Sequence, residues 1–242
     1  MAETVLVTGG SGYIAGYCIA ELLRRGHRVN ATVRSLTREP EVRVAVGRLI
    51  DPADRLQLFA ADLSADAGWR EAAAGVDYVL HVASPFTAQT GSEADFVVPA
   101  RDGALRVVRA GLEAGARRIV MTSSTQATTY PKEPNPRPRD ESCFTDPTRP
   151  DVSYYGRSKV IAETLRRELG PQARKVPTRE IPGFVVQAMA LVDAEVRSIA
   201  KDVGKRRENT SAKARERLGW SPRTPEESVV DCARSLIAEG VV

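Results

Sequence analysis

Thr4-Val5-Leu6-Val7-Thr8-Gly9-Gly10-Ser11-Gly12-Tyr13-Ile14-Ala15-Gly16 carries a short apolar run straight into a glycine turn, and a helical pattern follows it. A strand, a tight glycine-rich turn and a helix in that order make a site for a dinucleotide pyrophosphate. Glycines let the backbone turn sharply and come close to the phosphates, while the helix N-terminus presents N–H donors and the positive end of the helix dipole. Gly9 and Gly12 stand at three-residue spacing and Ala15 takes the third place, a position that mainly governs helix-to-strand packing and tolerates alanine. Gly9, Ser11, Gly12, Tyr13 and Ile14 are therefore candidate cofactor contacts.

Working outward, residues 13–25 read as a helix, with Ile14, Cys18 and Leu22 four apart and Gly26 just past the end. A second strand is expected over 27–34, a helical segment within 35–50, a third strand over 56–60 and a helix over 67–74. Asp77 to Val82 is a near-continuous apolar run, as a strand covered on both faces should be. A longer helix over about 95–114 and a fifth strand over 118–122 follow. This alternation predicts an α/β domain built on a Rossmann-type, doubly wound parallel sheet. Residues 131–150 hold six prolines and read as a long helix-free loop, of the kind that is often functional. A helix over 152–169 comes next. The tail predicts a short helix over 211–218, stopped by Gly219, and another opening at the capping box Thr224-Pro225-Glu226-Glu227.

Three groups carry chemistry. The end of the second strand selects between NAD and NADP, because NAD sites usually place a carboxylate there for the ribose 2′-hydroxyl. Thr32-Val33-Arg34-Ser35 has none and offers instead Arg34, whose guanidinium suits a 2′-phosphate; Arg38 is a second candidate. Tyr155-Gly156-Arg157-Ser158-Lys159 places Tyr155 and Lys159 four apart on one helical face. A phenol with a pKa of about 10 is a poor acid or base at neutral pH, and a neighbouring ammonium lowers it. Thr122-Ser123-Ser124 puts hydroxyls at the carboxyl end of the fifth strand, where open α/β sheets bind ligands, and a serine there can hold a substrate carbonyl.

Taken together, these motifs resemble the extended short-chain dehydrogenase/reductase type, within the NAD-dependent epimerase/dehydratase superfamily, and most closely its dihydroflavonol-reductase-like branch. The resemblance covers 4–169 and resumes over about 174–238. It also rests on Asp62-Leu63, His81-Val82-Ala83-Ser84-Pro85, Ser211 to Arg215 and Leu218 to Arg223. It implies that Ser124 holds the substrate carbonyl and Tyr155 donates the proton. Lys159 would lower the tyrosine pKa and bind the nicotinamide ribose, Asp62 and Leu63 would flank the adenine, and Ala83, Ser84 and Pro85 would line the nicotinamide side. The implied reaction is hydride transfer between NADP(H) and an aldehyde or ketone. The resemblance also implies a longer segment between the catalytic helix and the tail than Leu169-Gly170-Pro171 provides. The expected division is thus an NADP-binding catalytic domain over 1–169 and a reduced, helical substrate lobe over 170–242.

Composition bounds the alternatives. The chain has 242 residues, 42% of them hydrophobic and 27% charged, an ordinary globular balance. Its net charge of +4 is dispersed and no basic block alternates with aromatics, so nucleic acid is not an expected partner. Cys18, Cys143 and Cys232 have neither disulfide nor metal spacing, and no apolar stretch approaches the roughly 20 residues of a membrane span, so a cytoplasmic protein without a metal is expected. His27 and His81 are the only histidines, both read as structural, and no Gly-x-Ser-x-Gly elbow exists, which leaves no hydrolase triad. The expected partner is a small-molecule carbonyl substrate, with the chain a monomer or homodimer. Two other readings stay open: a non-catalytic NADP(H)-binding protein, and a sugar-nucleotide epimerase or dehydratase.

Overall fold

The computed structural model describes residues 2–85, 93–129, 143–146, 152, 209–224 and 227. The chain divides into two compact units, one of residues 1–134 and 143–178, the other of 135–142 and 179–242. The division expected at 169/170, the helix expected over 152–169 and most of the proline-rich loop fall outside the described residues.

In the larger unit the order is β1 (Thr4–Val7), α1 (Tyr13–Arg24), β2 (Arg28–Val33), a 3₁₀ turn (Leu36–Arg38), α2 (Glu39–Gly47), β3 (Leu56–Ala60), α3 (Trp69–Ala73), β4 (Tyr78–His81), α4 (Glu93–Glu113), β5 (Arg118–Met121) and α5 (Gln126–Thr129). The five strands among the described residues are all parallel, in the order β3-β2-β1-β4-β5. The direction of winding reverses between β1 and β4, and ligands of open α/β sheets bind at the carboxyl ends of the strands at such a switch point. Val7 is level with Ala31 on one side and Leu80 on the other, so β1 ends between β2, which runs two residues further to Val33, and β4, which runs one further to His81.

Strand alternation explains why the sheet needs helices on both faces. Val5, Val7, Val29, Ala31 and Val33 pack with Ile19 and Leu23 of α1 and Val42 and Val46 of α2. Leu6, Val79 and Ile119 point the other way, against Trp69 and Ala72 of α3 and Val107 of α4. Leu6 is fully buried, so Leu6→Ala should cost about 2–5 kcal/mol, the range for a leucine truncated in a close-packed core. A shift in the urea midpoint with an unchanged slope is the expected reading; a loss under 1 kcal/mol would contradict this packing.

Several elements differ from their sequence expectation. The helical stretch expected within 35–50 splits, because Ser35 accepts from the Thr37 N–H at 3.3 Å and caps a separate 3₁₀ turn before α2 begins. The helix expected over 67–74 is shorter, because Gly68 stands at its N-cap in the left-handed region (φ +84°). An alanine Cβ there would lie 1.9 Å from the Ala60 carbonyl oxygen. The long helix begins at Glu93 and contains Pro99, which lacks the N–H for an intrahelical bond. In the smaller unit, α6 (Ala212–Leu218) ends at left-handed Gly219 (φ +58°), and Thr224 and Glu227 form the expected reciprocal box. There the Thr224 N–H donates to Glu227 Oε2 at 2.8 Å and the Glu227 N–H to Thr224 Oγ1 at 3.1 Å.

Among the described residues, no helix is long and apolar enough to cross a membrane. No group of three or more His, Cys, Asp or Glu among them could hold a metal ion. Burial pushes the half-buried Cys18 thiol up, which makes it a weak nucleophile.

Candidate functional site

The turn after β1 is built from backbone contacts that side chains would obstruct. Gly9 adopts φ +73°, donates its N–H to Thr32 Oγ1 at 3.1 Å, and lies so close to the turn after β4 that a Cβ would meet Ala83 Cα and Cβ at 3.1 Å. The Gly10 N–H donates to the Thr32 carbonyl at 2.7 Å, and a Cβ there would meet Ala31 Cβ at 3.1 Å. The Gly12 N–H closes the turn onto the Gly9 carbonyl at 2.8 Å. Gly12 is also the N-cap of α1, and no side chain caps that helix. A helix start without a side-chain cap, reached over a bare backbone, suits an anionic phosphate. Ser11 is half-buried, Tyr13 and Ile14 are exposed at the start of α1, and fully buried Ala15 seats the helix on the sheet.

Across the switch point, Thr8 ties the end of β1 to the strand beside it. Its buried Oγ1 accepts the N–H groups of Val82 at 3.1 Å and Ala83 at 3.0 Å, and lies 2.8 Å from His81 Nδ1. These bonds hold Ala83, Ser84 and Pro85 beside the glycine turn.

At the end of β2, Arg34 is exposed and makes no hydrogen bond among the described residues. It faces the turn after β3, where Asp62 Oδ1 accepts from the Ser64 hydroxyl at 2.6 Å and the Ser64 N–H at 2.8 Å. Those bonds, and then the charges of Arg34 and Arg106, hold the Asp62 carboxyl below the usual carboxylate range. Oδ1 is thus engaged, and Oδ2 is the oxygen left to accept. Arg106 also grips this turn through Asp66 and the Leu63 carbonyl. Leu63 is half-buried against α4, where a Cβ on Gly103 would lie 2.7 Å from its Cβ. Arg38, the second candidate for the 2′-phosphate, forks onto Glu41 at 2.8 and 2.9 Å.

Asp62 and a second aspartate held below its usual range, Asp77, give a pH prediction. Asp77 accepts the Thr4 N–H at 2.9 Å and lies beside Arg117, so its carboxyl is also held down. A folded-state pKa below the unfolded value adds stability above the unfolded value of about 3.9 and loses it as pH falls through the folded value. The thermal midpoint should therefore drop on acidification below about pH 4, and the gap between wild type and Asp62→Ala should narrow there. A gap independent of pH would contradict this account.

Ser124 lies beyond β5, half-buried, with Oγ accepting the Gln126 N–H at 3.3 Å. That bond uses a lone pair and leaves the hydroxyl proton available to a further acceptor. Thr145 fixes the segment after Ser124 from outside, its hydroxyl donating to the Gln126 carbonyl at 2.7 Å and its N–H to the Ala127 carbonyl at 2.8 Å. Tyr155 and Lys159 lie outside the described residues.

A glycine turn at the switch point of a parallel sheet agrees with the comparison to known families. The model of the NAD dependent epimerase/dehydratase family matches residues 5–179. The chain belongs to this family. A putative anthocyanidin reductase of Ginkgo biloba is 34% identical over 195 residues, which are 76% of this chain and 56% of that protein. Vestitone reductase from alfalfa is 27% identical, with a TM-score of 0.58, over 78% of this chain and 63% of that one. The yeast methylglyoxal/isovaleraldehyde reductase complexed with NADPH has a TM-score of 0.59 over 69% of this chain and 52% of that one; at 22% identity it shows the fold alone. The chain spans about half the length of the curated relatives it matches.

Within this family member, Thr8, Gly10, Thr32 and Thr145 support the candidate site through hydrogen bonds that the sequence reading passes over. Gly10 alone had a legible signal, as the second of two glycines placed directly after a strand. The threonines act across 19 to 75 residues of sequence, and no local pattern marks them.

Proposed function

We propose that the protein binds NADP(H) on the glycine turn and reduces an aldehyde or ketone to an alcohol. Arg34 is the observation that carries this reading: an exposed guanidinium at the end of β2, beside the turn, with no carboxylate in the position that NAD sites use. The turn fits a pyrophosphate because the backbone is bare at Gly9, Gly10 and Gly12, where an added Cβ would crowd its neighbours at 3.1 Å. Asp62 Oδ2 and the half-buried Leu63 side chain would flank the adenine. Thr8 would hold Ala83, Ser84 and Pro85 to the nicotinamide side.

The bound nucleotide would supply a hydride to the carbonyl carbon. Ser124 would donate its hydroxyl proton as a hydrogen bond to the carbonyl oxygen and orient it. Tyr155 would transfer its phenolic proton to that oxygen as negative charge develops, and Lys159 would keep the phenol acidic enough to do so. The family membership, and the reductase names of the Ginkgo and alfalfa relatives, support this class of chemistry. The particular carbonyl compound is left to assay.

Arg34→Ser tests the cofactor assignment. Loss of a charge-assisted phosphate contact is worth about 1.5–3 kcal/mol, so NADPH affinity should fall by roughly 10- to 150-fold while NADH affinity stays unchanged. Equal losses for both nucleotides would contradict the role of Arg34. Consumption of NADPH across a panel of aldehydes and ketones tests the reaction. NADPH binding without turnover on the panel would favour the non-catalytic reading.

A further inference from the structure

The buried hydrogen bond between Thr8 and His81 fixes the protonation state of the histidine. A threonine hydroxyl offers one donor and two acceptor lone pairs. Both lone pairs of Thr8 Oγ1 are engaged, by the Val82 N–H at 3.1 Å and the Ala83 N–H at 3.0 Å. The remaining contact, 2.8 Å to His81 Nδ1, is therefore made by the threonine proton, and Nδ1 accepts it. Were Nδ1 protonated, three donors would converge on one oxygen and the Thr8 hydroxyl proton would have no acceptor. Thr8 is fully buried and His81 is 4% exposed, so water does not relieve such a conflict.

We propose that His81 is a positioning residue, neutral and protonated on Nε2, whose Nδ1 orients the Thr8 hydroxyl so that its oxygen anchors the turn after β4 beside Gly9. The proposal rests on the reading of this edge as the NADP(H) site. The geometry explains why an imidazole stands at the last position of an otherwise apolar strand. An aliphatic residue there would bury equally well but would leave the Thr8 proton without an acceptor, loosening the bonds to Val82 and Ala83. Ala83 is in contact distance of Gly9, so the loosened turn would fall at the nicotinamide side of the cradle.

The chain has only two histidines, which makes the test direct. His27 also accepts at Nδ1, from the Glu3 N–H at 3.4 Å, so protein labelled with ¹⁵N-histidine is measured in the His27→Gln background. The expected spectrum at neutral pH shows a bare Nδ1 and a protonated Nε2. A protonated Nδ1, in either the neutral or the charged ring, overturns the proposal. In parallel, His81→Leu should weaken NADPH binding by about tenfold, the equivalent of one hydrogen bond, and speed amide exchange at Val82 and Ala83. His81→Asn, whose carboxamide oxygen can take the place of Nδ1, should restore both. Unchanged amide exchange in His81→Leu, or no rescue by His81→Asn, overturns the proposal. Should wild type fail to bind NADPH, the cofactor reading falls, while the spectrum and the amide exchange still decide the role of His81. They also decide it should His81→Leu not fold, since the spectrum is taken on the native histidine.

Discussion

Gly68→Ala is expected to remove a large share of the stability of the domain. Two costs add at this position. The left-handed conformation, φ +84°, costs a residue with a Cβ about 1–2 kcal/mol. The Cβ would also lie 1.9 Å from the Ala60 carbonyl oxygen and 3.0 Å from the Ala60 carbonyl carbon. Both are backbone atoms at the end of β3, so no rotamer change relieves the overlap, and either the strand or the helix start must move. Moving the helix start displaces Trp69, which is 3% exposed and donates its indole N–H to the Asp62 and Ala65 carbonyls. A loss of roughly 4 kcal/mol or more is expected, against a total stability of about 5–15 kcal/mol for a domain. Gly26→Ala is the control. Gly26 has nearly the same φ, +82°, but nothing within 4 Å of the added methyl, so it should lose only the conformational share, about 1–2 kcal/mol. Urea unfolding of the two variants separates strain from collision. Equal losses at the two glycines would contradict the close approach of α3 to β3.

Tyr155→Phe is expected to remove turnover while leaving the nucleotide site intact. The phenol is proposed as the proton donor, and a positioned general acid contributes about 10²- to 10⁴-fold, so kcat should fall by that factor. NADPH affinity should stay within about twofold, because the proposed pyrophosphate and 2′-phosphate contacts come from the glycine turn and Arg34. Lys159→Met should combine a lower kcat with weaker NADPH binding, since Lys159 is proposed to serve both the tyrosine and the ribose. Retained activity in Tyr155→Phe would remove the tyrosine from the mechanism and reopen the choice of acid.

The sheet and its cradle were legible because both rest on local periodicity. Val5, Leu6 and Val7 alternate between two helix-covered faces, and the glycines follow within the next few residues. Arg34 was legible because strand β2 ends beside it and no acidic residue intervenes. What escaped the sequence depends on partners distant along the chain. Thr8 and His81 read as one residue beside a glycine motif and one residue in a strand; only the pairing of β1 with β4 brings them together. Gly68 falls inside the helix expected over 67–74, whereas it stands at the N-cap and its constraint comes from the Ala60 carbonyl across a turn. Arg38, only the second candidate for the phosphate in the sequence, is delivered by the 3₁₀ turn to Glu41. The Ser124 hydroxyl was legible in place but not in support, because Thr145, which pins the helix after it, arrives from within the proline-rich stretch.

The central claim is that the turn over residues 9–16, together with Arg34, forms a cradle for NADP(H). Parallel titrations of the intact protein with NADPH and NADH, followed by nucleotide fluorescence, test it most directly. The account predicts saturable binding of NADPH, tighter than NADH by roughly tenfold or more, as expected for a 2′-phosphate held by an arginine. Absence of saturable NADPH binding, or NADH binding as tightly as NADPH, would contradict it.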